Sequence, residues 1–311
     1  MKFIKPIFWQ SKNFISFLLY PLTIITLIIN TCRKLFPKSN PSIKTICIGN
    51  IYLGGTGKTS LAIEIQKLLK DKYKTIFIKK NYSDQIDEIN LLKSKGKIIS
   101  SANREEAIKF ALKKGYELAI LDDGLQQKEI NYGLKIVCFN TEDGLGNEYL
   151  LPAGPLRESV DQLKHYDIAF LNGERKNNKL YFKLKSINKY IKIFEGKYKA
   201  VNLKKFDLKK KYFMFCGIGN PHEFEKTLIK NKFSIIEKKI YPDHYKIPRK
   251  EINRLITKAK KENLCLITTE KDFFRLSKLE RKNIKFLKIK LEINDIKTVS
   301  YTHLRAHETA D

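Results

Sequence analysis

The chain has 311 residues and a formal net charge of +28, from 61 Lys and Arg against 33 Asp and Glu. The 42% hydrophobic fraction supplies packed cores and excludes global disorder, and the length fits two modest domains or one large one. The charge points to anionic partners (nucleic acid, a membrane surface, phosphorylated ligands), yet only nine of the basic residues are Arg. Phosphate and base recognition favours the bidentate Arg fork, so most of this Lys excess reads as compositional drift. Cys32, Cys47, Cys138, Cys216 and Cys265 form no CxxC pair and mostly sit within apolar runs, which reads as reduced, buried thiols without a zinc site or disulfide framework.

From Asn13 to Cys32 no residue is charged; Lys2, Lys5 and Lys12 precede this stretch, and Arg33 and Lys34 follow it. Twenty helical residues span about 30 Å, enough to cross a bilayer core. Asn13, Ser16, Tyr20, Thr23 and Asn30 form a thin polar stripe, which favours a helix lying in the membrane interface over a spanning or a buried one. Pro21 should kink it. The basic flanks suit an anionic cytoplasmic leaflet. Residues 1–35 are therefore expected to form a membrane-associated helix.

Beyond Pro41, short apolar runs alternate with helical periodicity. Strands are expected at 45–48, 75–78, 118–121, 134–139 and 168–172, with helices at 60–70 and 102–114. This alternation predicts an α/β fold with a parallel sheet over residues 36–175. After a polar break at 175–179, Lys alternates with apolar residues over 180–193 and suggests an exposed antiparallel ribbon. A second βα series follows: a strand to Cys216, a helix over 221–230, a strand near Ile235, a helix over 250–261 and a strand over 264–268. The expectation for 176–299 is a linker ribbon plus a smaller α/β domain. The last twelve residues, 300–311, contain no Lys and two of the five His. They read as a tail of foreign or frameshifted origin and are set aside.

The strongest motif is Gly54-Gly55-Thr56-Gly57-Lys58-Thr59, set between a strand and a helix. In a P-loop, backbone amides and a helix N-terminus cradle phosphates, the Lys reaches the outer phosphates and the Thr hydroxyl ligates Mg²⁺. Tyr52 stands where the full pattern asks for Gly, and Leu53 lacks the Lys of ParA/MinD-type loops. Asp122 and Asp123 end an apolar strand, as metal-holding carboxylates do in this class. An Asp-Gly turn is the plainer alternative. No Asn-Lys-x-Asp follows a strand, so ATP is expected over GTP. Lys58 would also stabilise charge during phosphoryl transfer.

Beyond these, the chain carries Ile48-Gly49-Asn50-Ile51, Leu121-Asp122-Asp123-Gly124-Leu125-Gln126, Gly144-Leu145-Gly146-Asn147 and Leu150-Leu151-Pro152-Ala153-Gly154-Pro155-Leu156-Arg157-Glu158. Gly217-Ile218-Gly219-Asn220-Pro221, Tyr241-Pro242-Asp243-His244-Tyr245 and Thr268-Thr269-Glu270-Lys271-Asp272 follow in order. In these segments, up to about Lys290, the chain resembles the tetraacyldisaccharide 4′-kinase (lipid A 4′-kinase) family. The resemblance implies a P-loop NTPase-like domain and a second α/β domain, with the active site in the cleft between them. It implies ATP and Mg²⁺ as cofactors and a membrane-bound lipid A disaccharide precursor as substrate. The reaction would phosphorylate the 4′-hydroxyl of a tetraacylated glucosamine disaccharide 1-phosphate, giving lipid IVA at the cytoplasmic face of the inner membrane.

By the same resemblance, Asp87, in Ile86-Asp87-Glu88, and His244 match the catalytic pair. Thr59, Asp122, Asp123 and Glu158 would hold the metal, and Asn50, Gln126 and Arg157 would contact substrate. The family's Ser-Arg-Gly-Tyr-Gly segment reads Lys79-Lys80-Asn81-Tyr82-Ser83 here, and the stretch before Asp87 is shortened. His165 and His222 read as surface or structural. A ParA/MinD-like ATPase switch is the alternative function, and a non-catalytic nucleic-acid binder a third; neither needs the segment 150–158. No nucleic-acid partner is expected, and oligomeric state is left open.

Overall fold

A strand buried on both faces needs a nearly continuous apolar run. Lys44–Gly49 (β1) meets this condition, with every residue after Lys44 buried. It sits at the centre of an eight-stranded sheet in the computed structural model, which describes residues 5–82, 86–243 and 245–294. The remaining strands, in chain order, are Thr75–Lys80 (β2), Ile98–Ser101 (β3), Leu118–Asp122 (β4), Leu134–Asn140 (β5), Ile168–Asn172 (β6), Lys192–Ala200 (β7), Lys211–Cys216 (β8), Ser234–Ile240 (β9), Cys265–Thr269 (β10), Ile284–Leu287 (β11) and Ile289–Ile293 (β12). The helices are Phe14–Leu19 (α1), Thr23–Leu35 (α2), Lys58–Leu69 (α3), Ile86–Lys93 (α4), Arg104–Lys113 (α5), Asn178–Ile187 (α6), Pro221–Lys230 (α7), Arg249–Lys261 (α8), Glu270–Arg275 (α9) and Lys278–Arg281 (α10).

Two compact units result. The larger takes residues 5–82, 92–197 and the described residues from 291; the smaller takes 198–290 together with 86–91. In the larger unit the strand order is β12-β7-β6-β5-β1-β4-β2-β3, and the pairs from β7 through β3 are parallel. The chain first builds outward on one side of β1, returns with β4 beside it, then continues with β5 on the other side. β1 and β4 therefore lie at the reversal of strand order, where open α/β sheets bind ligands at their carboxyl ends. Cys47, Ile51, Ile78, Leu121, Val137 and Phe139 are among the buried side chains of this core.

The smaller unit has a four-stranded parallel sheet, β11-β10-β8-β9. Tyr212, Met214 and Cys216 face one apolar cluster, with Phe224 and Leu228 of α7. Phe213 and Phe215 face another, with Ile252 and Leu255 of α8. The alternation along β8 thus serves two helical layers.

The segment 180–193 corrects the ribbon expectation. It folds as α6 followed by β7, and β7 pairs in parallel with β6. Leu180 and Leu184, four residues apart, are buried on one helical face. The interspersed Lys residues mimic a two-residue period and hide that spacing.

The N-terminal segment follows its polar stripe. Asn13 and Ser16 form a reciprocal capping box for α1, and Pro21 lies in a 3₁₀ turn that breaks the helix before α2. Ser16 and Thr23 are buried. The Thr26 hydroxyl donates to the Leu151 carbonyl at 2.7 Å, and Asn30 donates to the Arg157 carbonyl at 2.9 Å. Ser16, Thr23 and Asn30 of the polar stripe, together with Thr26, thus face the protein, whereas Tyr20 stays half exposed and Phe14, Phe17, Leu18, Ile25 and Ile28 stand exposed. By length and composition, Phe14–Arg33 suffices to cross a bilayer. Trp9 is buried and donates through Nε1 to the Pro152 carbonyl at 3.0 Å. Lys5, expected as a membrane-facing charge, is instead paired with Asp143 at 2.6 Å. The tail at 300–311 lies outside the described residues.

Candidate functional site

The loop between β1 and α3 begins at Asn50, whose side chain is fully buried. Its amide donates to the Tyr52 and Gly54 carbonyls, and its oxygen accepts from Arg157 at 2.9 Å. The Asn50 carbonyl accepts from Gln126 at 2.8 Å. These bonds fold the chain back before the glycines. Gly57 has φ of 86°, in the left-handed region, and provides no side chain to cap α3. The helix N-terminus is therefore left to an anionic ligand. Thr56 Oγ1 in the same loop is buried without a hydrogen-bond partner.

The segment 150–158 braces this loop from outside. The Leu53 amide donates to the Pro155 carbonyl at 2.8 Å, and the Arg157 amide donates to the Ile51 carbonyl at 2.7 Å. A Cβ at Gly154 would collide with the Asn147 side chain and the Tyr149 backbone, so this turn requires glycine.

Five expected residues converge here: Lys58, Thr59, Asp122, Asp123 and Arg157. The Thr59 hydroxyl lies 3.0 Å from Asp122 Oδ2, and Lys58 Nζ lies 3.9 Å from Asp123. Arg157 reaches Asp123 at 3.0 Å. Burial alone would push the Asp123 carboxyl upward, but the nearby Lys58, Arg157 and Lys79 charges hold it well below the usual carboxylate range. Asp123 follows the last residue of β4 and has φ of 61°, in the left-handed region, so the chain turns there.

A divalent cation fits the donors present. Asp122 Oδ1 is buried with no hydrogen-bond partner, and the Thr59 hydroxyl sits at the other oxygen of that carboxylate. Among the described residues no cluster of three or more His, Cys, Asp or Glu surrounds a metal position. Mg²⁺ needs none, because it is held by one or two carboxylates plus phosphate and water.

Other expected residues are placed differently. Glu158 is buried, and its carboxylate accepts from Lys128 at 3.0 Å and from the Tyr166 hydroxyl at 2.5 Å. Burial first, and then that carboxylate, raise the Tyr166 hydroxyl far above its usual range, so it remains a donor. Asn50, expected on substrate, is occupied in shaping the loop. Asp87 takes the second position of α4, and its side chain lies outside the described atoms. His244 also lies outside the described residues. Their neighbours are informative: Lys271 pairs with Glu88 at 3.4 Å and with Asp243 at 3.3 Å. Asp272 ties the Gly217 amide, the Thr269 hydroxyl and Arg275 together, uniting two of the glycine- and threonine-rich segments.

Two site residues escaped the sequence reading. Lys79, at the end of β2, lies 2.7 Å from Asp122 Oδ2 with its side chain 2% exposed. Arg104, at the start of α5, donates to the Asp123 carbonyl at 2.7 Å. Neither position stands out without the register that sets Lys79 opposite Asp122.

A glycine loop opening a helix beside a strand-end carboxylate, at the reversal of a parallel sheet, defines the P-loop class of nucleotide-binding α/β proteins. The family described as tetraacyldisaccharide-1-P 4′-kinase (LpxK) matches residues 15–305. A tetraacyldisaccharide 4′-kinase from Pelagibacter ubique is 44% identical, covering 99% of each chain. One from Rickettsia canadensis is 33% identical, covering 95% of each. The LpxK of Aquifex aeolicus, described as an "apo" form in complex with ATP, shares the fold with a TM-score of 0.68 at 21% identity. That alignment covers 91% of this chain and 96% of the other. The chain belongs to the tetraacyldisaccharide-1-P 4′-kinase family and is a kinase. Membership sets aside the ATPase-switch and nucleic-acid readings.

Proposed function

We propose that this kinase transfers the γ-phosphate of ATP to the 4′-hydroxyl of a tetraacylated glucosamine disaccharide 1-phosphate, giving lipid IVA in lipid A biosynthesis. The observation that carries this reading is the convergence of Lys58, Thr59, Asp122 and Asp123 at the carboxyl ends of β1 and β4, in a chain of this family.

The α3 amides and Lys58 hold the phosphates and stabilise charge as the phosphoryl group moves. Thr59, Asp122 and Asp123 would hold Mg²⁺, which when bound neutralises phosphate charge. Arg157 keeps Asp123 ionised and is placed to clamp a phosphate. Gln126 holds the loop through Asn50, and Glu158 anchors the segment 150–158 through Lys128 and Tyr166. Neither Asn50 nor Glu158 is given a ligand contact in this reading, since both are buried with their polar groups engaged.

A sugar hydroxyl needs a base as it attacks. Asp87, oriented by His244, takes that role. The pairing is supported by Lys271, which binds the residue following Asp87 and the residue preceding His244. The exposed apolar face of α1 and α2 would rest in the cytoplasmic leaflet of the inner membrane, keeping the enzyme near its lipid substrate.

The test is transfer from labelled ATP to the disaccharide lipid. Wild type should form product, and Lys58→Ala should lower kcat by on the order of a hundredfold or more. Asp87→Ala should lower kcat with little change in ATP affinity. Equal rates in wild type and Lys58→Ala, or no product from folded protein, would overturn the proposal.

A further inference from the structure

We propose that Lys79 is a resident counter-cation of Asp122 that keeps free divalent metal out of the site until nucleotide arrives. This rests on the ATP and Mg²⁺ reading above and deepens it.

Lys79 and Asp122 occupy facing positions on the parallel neighbours β2 and β4, at the edge that carries the glycine loop. Their side chains are 2% and 0% exposed, and they meet at 2.7 Å. A lysine buried this deeply is tolerated only with its charge paired, so the contact is built into the sheet. The ammonium and the Thr59 hydroxyl share one oxygen of Asp122, while the other oxygen is left without a hydrogen bond. Lys79 therefore neutralises the carboxylate and also orients its free oxygen.

The charge balance gives the consequence. Asp122 and Asp123 are faced by Lys79, Lys58 and Arg157. Three cations meet two carboxylates, so before nucleotide binds this group carries net positive charge. A free divalent ion entering beside Asp122 meets a fixed ammonium on the same carboxylate, in surroundings that screen poorly. A triphosphate reverses the sign of the site. Metal then enters as the metal–nucleotide complex and finds the free Asp122 oxygen already oriented. Lys79 acts through Asp122 and is a positioning residue.

The test measures metal binding to nucleotide-free, full-length protein by Mn²⁺ electron paramagnetic resonance. Lys79→Met keeps volume and removes charge. It should bind Mn²⁺ at least about tenfold more tightly than wild type, and millimolar Mg²⁺ should raise its Tm. Wild-type Tm should not respond until a non-hydrolysable ATP analogue is added. Lys79→Arg, which keeps the charge, should exclude Mn²⁺ as wild type does. Equal Mn²⁺ affinity in wild type and Lys79→Met, tight or undetectable, overturns the proposal. Should Lys79→Met fail to fold, wild type decides alone. Stoichiometric micromolar Mn²⁺ binding without nucleotide refutes the idea, and binding only after the analogue is added supports it. These measurements use neither lipid nor phosphoryl transfer, so a failed kinase assay and a failed metal-exclusion test remain distinct results.

Discussion

Asp123 illustrates how a few charges set the chemistry of one side chain. Its folded carboxyl is held below the ordinary carboxylate value by Lys58, Arg157 and Lys79, which together outweigh its burial. The unfolded carboxyl titrates near the ordinary aspartate value, about 3.9. A depressed folded value means that the stabilisation is fully present above the unfolded pKa and disappears as pH falls through the folded one. Asp123→Asn removes this contribution. The stability difference between wild type and the variant, from urea unfolding, should be constant between pH 7 and pH 5 and shrink below about pH 4. A difference that grows with acidity would contradict the assigned charges. The loop glycines, Lys58, Thr59 and the paired Asp residues were legible in the sequence, because their chemistry depends on local spacing. Lys79 and Arg104 were not, because each acts across strands or between a helix and a distant turn.

At the scale of elements, α1 and α2 invert the usual surface helix. Thr26 and Asn30 bond to the segment 150–158, and large apolar side chains face outward. Ile25 and Ile29, one helical turn apart, are 58% and 47% exposed. Each isoleucine withdrawn into lipid contributes about 1.5–3 kcal/mol. As both are already about half buried, replacing both by Ser should lower partitioning onto anionic phospholipid vesicles by at least about tenfold while leaving Tm unchanged. Unchanged flotation would remove this face as the attachment surface. Asn30→Leu should behave in the opposite manner, costing about 1 kcal/mol of stability through the lost bond to Arg157 without weakening flotation. The stripe and the break at Pro21 were legible in the spacing of residues. That spacing could not say that part of the stripe would be consumed by carbonyls more than a hundred residues away. Segment 180–193 shows the converse failure, since its alternation of Lys with apolar residues concealed a buried four-residue helical spacing.

At the scale of the molecule, the cysteines report on the two units separately. Cys47 and Cys138 lie in the core of the larger unit, and Cys216 lies in the core of the smaller one. Burial pushes the thiols of Cys47 and Cys216 up to about 12, and that of Cys138 higher still. Alkylation requires thiolate, so these three should stay unlabelled at pH 8 in the folded protein. Cys32, against the expectation of buried thiols, is exposed on α2, where the helix turns its apolar face outward, and should label readily. Pulse labelling across a urea series, read by mass spectrometry, should give Cys47 and Cys138 a common midpoint, with Cys216 following the unfolding of its own unit. Native labelling of Cys47 as fast as Cys32 would show that the core is not closed.

The features legible in the amino-acid order alone are local in physical origin. Strand and helix alternation follows from periodicity, the phosphate loop from glycines placed before Lys58 and Thr59, and the apolar N-terminal helix from an uncharged run. The tertiary structure decided the partnerships. Parallel register set Lys79 against Asp122, return of β4 beside β1 brought Thr59 to the same carboxylate, and the segment 150–158 closed on the loop and placed Arg157 on Asp123. Such contacts join residues far apart in the chain. Their energies depend on distance and burial in the folded state, which one-dimensional spacing does not contain.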